Sequence, residues 1–96
     1  MSAAIPAERL DRYFTITRDA LAIAKKAPKA SGKEKEVEII LDMVQRYYDD
    51  ALHFHQKGRD VDAFACLNYA HGWLDCGARL GLFVVKDNRL FTVDDE

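Results

Sequence analysis

Val37, Ile40, Leu41, Val44, Tyr48, Ala51, Leu52 and His55 recur at spacings of three and four, and they fall within roughly a third of a helix circumference. Asp42, Arg46, Asp49 and His53 occupy the opposite face. A strand alternates its side chains across two faces, so this pattern fits only a helix, over about 33–57, that buries one side against a partner. Whatever else the chain forms must supply that partner.

Two further segments can do so. Pro6 suits a helix start, where its missing N–H costs nothing. From there Leu10, Tyr13, Phe14, Thr17, Ala20, Leu21 and Ala24 make a second apolar stripe over about 7–27. Pro28 ends it, because the residue before a proline is pushed out of the helical region. Ser31 with Glu34 matches a capping box for the next helix. Gly58 fits a left-handed cap, and Asp60 a helix N-cap, so a third helix is expected over about 61–80. The short connection makes the second and third helices an antiparallel hairpin. The inward face of the third is expected to hold Ala63, Cys66, Leu67, Ala70, Leu74 and Gly77, with Gly81 as its C-terminal cap. Gly72 and Gly77 each cost such a helix about 1 kcal/mol against alanine, which a close helix contact or an overlying partner would explain. The tail, 82–96, alternates apolar runs (Leu82–Val85 and Leu90–Val93) about a polar turn, and is expected to be extended or hairpin-like. The fold class is therefore all-α: a three-helix up-and-down bundle with a short C-terminal tail.

With 96 residues, the chain supports one domain, 1–96, with one thin core. Its formal net charge of −2 argues against a dedicated nucleic-acid binder and leaves room for a local basic patch. Cys66 and Cys76 lie about 15 Å apart along one helix, beyond disulfide reach, and read as free thiols of a reducing cytoplasm. The N-terminus carries no signal-peptide pattern, and no apolar run approaches the roughly 20 residues that span a bilayer. A cytoplasmic protein without membrane contact is expected.

The stretch Arg46-Tyr47-Tyr48-Asp49-Asp50-Ala51, then Phe54, Gly58, Asp60 and Ala63-Phe64-Ala65, then the run from Tyr69 to Phe83, YAHGWLDCGARLGLF, resembles the archaeal domain-of-unknown-function family numbered 357. The resemblance covers essentially the whole chain. It implies an archaeal source and a left-handed three-helix bundle like that of the albumin-binding domains, and it implies no reaction. Cys76 stands where the family pattern has alanine.

The polar set Asn68, His71, Asp75 and Arg79 lies along one edge of the third helix, with Asp75 and Arg79 at ion-pair spacing. Tyr69 and Trp73 flank that edge as aromatic anchors; tryptophan, tyrosine and arginine are the residues most enriched at interface hot spots. The expected function is a protein-interaction or assembly module with an unidentified protein partner. Leu82, Phe83, Leu90 and Phe91 of the tail are expected either to close the open side of the bundle or, equally, to reach a second chain and give a homodimer. An RNA-associated role through the basic loop 25–35, with Lys25, Lys26, Lys29 and Lys33, is the alternative. A second alternative rests on Arg46 and His53, whose spacing on one face is similar to the arginine–histidine signature of the helical HEPN ribonucleases, although Tyr47 replaces their polar residue. No catalytic residue, cofactor or metal is expected: no phosphate loop, CxxC or HExxH motif occurs, and His53 and His55 fall on different faces. His55, on the apolar stripe, is expected to be a buried or capped structural histidine.

Overall fold

Pro6 opens the first helix, α1 (Ala7–Lys26); its carbonyl accepts from the amides of Arg9 and Leu10 at 3.0 and 3.1 Å. The helix stops where Pro28 demands it, with Ala27 extended at φ −70° and ψ 152°. The computed structural model describes residues 4–87 and 90–91, and among these α2 (Glu34–Gln56) and α3 (Asp60–Arg79) complete the set of helices. Together they form the three-helix all-α bundle. No strand occurs among the described residues; a lone bridge joins Lys29 to Phe83.

Both tight connections use glycine in the left-handed region, Gly58 at φ 76° after α2 and Gly81 at φ 71° after α3. The short first connection makes α2 and α3 the principal packing pair, while α1 leans more on α3 than on α2. Two hydrophobic clusters follow. One gathers Ala20, Leu21, Val44, Ala70 and Leu74 around Phe83 and Phe91. The other joins Leu10, Ala51, Ala63 and Leu67, with Tyr13, Phe14 and Phe64 packed against it.

Several local expectations are corrected. Ser31 and Glu34 form no capping box: Lys33 is the N-cap residue of α2 without a side-chain bond, and the Glu34 carboxylate accepts instead from the Gly32 amide at 3.3 Å. Asp60 is the first residue of α3 rather than its cap, and its Oδ1 accepts from His55 Nδ1 at 2.9 Å. That bond caps His55, which is exposed rather than buried because it lies on the last turn of α2, facing the start of α3. Leu52, at the edge of the stripe, is also exposed. Cys66 is half-buried at the rim, while Ala63 and Leu67 take the interior positions.

Of the two roles expected for the tail, its described apolar residues take the first and close the bundle. No hairpin forms among the described residues, because its first apolar run finds partners elsewhere. The amide of Ala30 donates to the Leu82 carbonyl at 2.9 Å, and that of Val84 to the Pro28 carbonyl at 2.9 Å. Phe83 is fully buried, and Phe91 nearly so; their rings meet edge to face at 6.4 Å. The amides of Leu90 and Phe91 turn back to the Asp87 carbonyl. Asn88 and Arg89 of the expected turn, and residues 92–96 of the expected second run, lie outside the described residues.

Candidate functional site

The third helix carries the two hollows that matter, and Gly72 lies in both. Helical spacing sets Asn68, His71 and Asp75 on the side turned toward α1, where Tyr13, Ile16 and Thr17 close the far wall of a cleft of about 330 Å³. His71 and Asp75 are largely covered there, with Asp75 Oδ1 at 3.7 Å from His71 Nε2. The Arg79 side chain is exposed and does not line the cleft. On the other side of α3, Tyr69, Trp73 and Cys76 bound a shallower hollow, with Asn68 and Gly72 shared between the two.

Gly72, which has no side chain, lies where the two hollows adjoin. A Cβ built on it would meet nothing within 4 Å among the described residues, so none of them requires a glycine there. Gly77 is the contrast: a Cβ on it would overlap the Phe83 ring. One glycine is explained by the fold and the other is not.

The aromatic flank is ordered by ring contacts. Tyr69 packs edge to face on Tyr47 of α2 at 4.6 Å and on Trp73 at 6.3 Å. Even so, Tyr69 keeps 54% of its surface exposed. This row presents rigid aromatic edges whose side-chain entropy is already reduced, the kind of anchor that interfaces favour. Thus the structure brings Asn68, Tyr69, His71, Trp73 and Asp75 around Gly72 and leaves Arg79 outside. Sequence reasoning missed Tyr13, Ile16, Thr17 and Tyr47, which reach the site from other helices and share no spacing with it.

The basic loop is organised differently. Lys29 Nζ donates to three carbonyls at the end of α1, those of Ala24 at 3.0 Å and of Lys25 and Ala27 at 2.6 Å. Its ammonium thus satisfies carbonyls that the helix leaves bare and meets the negative end of the helix dipole. Lys25 Nζ donates to Gln45 Oε1 at 2.8 Å. Lys26 and Lys33 are exposed. On α2, Arg46 Nε pairs with Asp42 one turn back at 2.8 Å, and His53 is exposed beside Phe54. Burial pushes the Cys66 thiol up from its ordinary range, and the carboxylates of Asp50 and Asp62 push it further the same way. Among the described residues no helix is long and apolar enough to cross a membrane, and no trio of His, Cys, Asp or Glu could hold a metal ion.

A family model described as "Protein of unknown function (DUF357)" matches residues 12–83, from the first turns of α1 to the buried Phe83. No curated protein and no solved structure matches the chain.

Proposed function

The chain belongs to the DUF357 family, which has no assigned function, and from that premise we propose that it is a protein-interaction module whose docking surface is the outer side of α3 around Gly72. One observation carries the reading: a mid-helix glycine that none of the described residues requires, lying beside a half-exposed tyrosine held between two other aromatic rings. A helix that accepts about 1 kcal/mol of destabilisation for a bare backbone gains something only when another molecule approaches it closely. Tyr69 and Trp73 would supply apolar anchors, and Asn68, His71 and Asp75 the polar contacts that fix register. Cytoplasmic residence in an archaeal cell belongs to the same proposal; the two free thiols support the first part and the family resemblance the second. The basic loop is the weaker alternative, since Lys29 serves the end of α1 and Lys25 serves Gln45.

The test is capture of partners from the source organism's lysate by tagged protein, with and without nuclease, beside Gly72→Arg and Tyr69→Ala. Both substitutions alter exposed positions, so the fold should survive, as circular dichroism would verify. Protein partners retained with the wild type and lost with both variants are expected. Equal capture by all three proteins would overturn the reading, and partners lost on nuclease treatment alone would move the role to the basic loop.

A further inference from the structure

Of the three helix pairs, α1 and α2 pack against each other least. Where α1 ends, a groove of about 550 Å³ opens beside the first turns of α2, over Val37 and Leu41. A second hollow of about 280 Å³ continues it along α1 over Leu21 and Ala22. Lys25 and Gln45 line both, and their hydrogen bond spans the groove between them.

The two walls carry opposite charge. Every ionisable side chain that α1 contributes is basic: Arg18, Lys25 and Lys26. Among the described residues every carboxylate lining the groove comes from α2: Glu34, Glu38 and Asp42. Some of these groups have partners within the chain, Arg18 with Asp19 at 3.3 Å and Asp42 with Arg46 at 2.8 Å, but all are exposed pairs that water screens and that exchange cheaply. Lys29 also lines the groove and is held by its three carbonyls, so it adds little.

We propose that this groove takes a second copy of the same chain, in a two-fold pair whose axis runs along the groove. That rotation sets α1 of each copy over α2 of the other, antiparallel, and brings each basic wall against the partner's acidic wall. The alternative two-fold, across the groove, would oppose like charges and is excluded by the same pattern. Phe83, Leu90 and Phe91 of the tail are not available for this purpose, since they are buried within their own chain. The surface is separate from the α3 face, so either assignment can fail without the other.

Two helices about 30 Å long and together roughly 20 Å wide offer on the order of 600 Å² per copy, below the roughly 800 Å² of a standard stable interface. Association is therefore weak, in the micromolar to millimolar range, and it weakens as salt screens the charged walls.

Sedimentation velocity of the full chain over that concentration range should show a monomer–dimer equilibrium that added salt shifts to monomer. Reversing one wall, by K25E/K26E or by E38K/D42K, should weaken self-association about tenfold or more, and an equimolar mixture of the two variants should recover it. Should either variant fail to fold, amide shifts of the wild type on dilution decide the matter. They should move at Leu21, Leu41 and Gln45 and stay fixed at Tyr69 and Trp73. A monomer throughout the range, a dimer indifferent to both reversals, or shifts confined to α3 would overturn the proposal.

Discussion

The two interior glycines of α3 separate what the fold needs from what it tolerates. At Gly72 there is open space among the described residues, so Gly72→Ala should stabilise the protein by about 1 kcal/mol, the helix-propensity difference, and urea unfolding would read it. At Gly77 the same change drives a methyl group into the buried Phe83 ring, so a loss of about 1–3 kcal/mol is expected. Equal signs for the two would mean that the helix is packed otherwise. The cost of both glycines was legible in the sequence; which one had a structural reason was not, because Phe83 arrives from beyond the helix. The cysteines divide similarly. Cys66 is half-buried and its thiol is pushed up by burial and by Asp50 and Asp62, so its thiolate forms only above the pH at which an ordinary thiol ionises. A maleimide titration should therefore label the exposed Cys76 first and reach Cys66 later, with a rate still rising with pH where that of a free thiol has levelled off.

At the scale of elements, periodicity carried most of the information and the caps carried least. Five of the seven positions on the α1 stripe, Leu10, Thr17, Ala20, Leu21 and Ala24, are buried, because α1 offers one face to both neighbours. On α2 the stripe holds through Ala51 and fails at Leu52 and His55, where its edge and last turn lose cover. Caps depend on where a loop brings a side chain, and spacing alone does not encode that. Ser31 is the test: a true N-cap serine would cost about 1 kcal/mol on truncation, whereas Ser31→Ala should change stability by less than about 0.5 kcal/mol, since the cap residue is Lys33 and has no side-chain bond. The apolar runs of the tail fit an extended or hairpin-like segment that either closes the bundle or reaches a second chain, and spacing cannot choose. In the structure the described rings, Phe83 and Phe91, occupy core positions. Phe83→Ala should accordingly cost about 3–5 kcal/mol in chemical denaturation, a loss that a surface hairpin would not show.

Across the whole molecule the packing is uneven. With α2 and α3 forming the tightest pair and α1 touching α2 least, α1 should open before the others unfold. Native-state hydrogen exchange should show interior amides of α2 and α3 as the slowest and those of α1 exchanging through a smaller opening; uniform protection across all three helices would contradict this. The candidate site divides along the same line. Its α3 residues were legible because they share one helix, whereas Tyr13, Ile16, Thr17 and Tyr47 join it only through the packing of helices. Finally, the bonds that tie Pro28 and Ala30 to Val84 and Leu82 bear on how the protein is made. As synthesis proceeds, α1 and its exit loop leave the ribosome long before the segment that pins them. Until Phe83 is translated, the cleft over Gly77 has no occupant and the loop no anchor, so the nascent helices wait as a loose hairpin with α1 undocked at one end. Folding of this bundle is thus closed from its far end, by the residue at which the family match also stops.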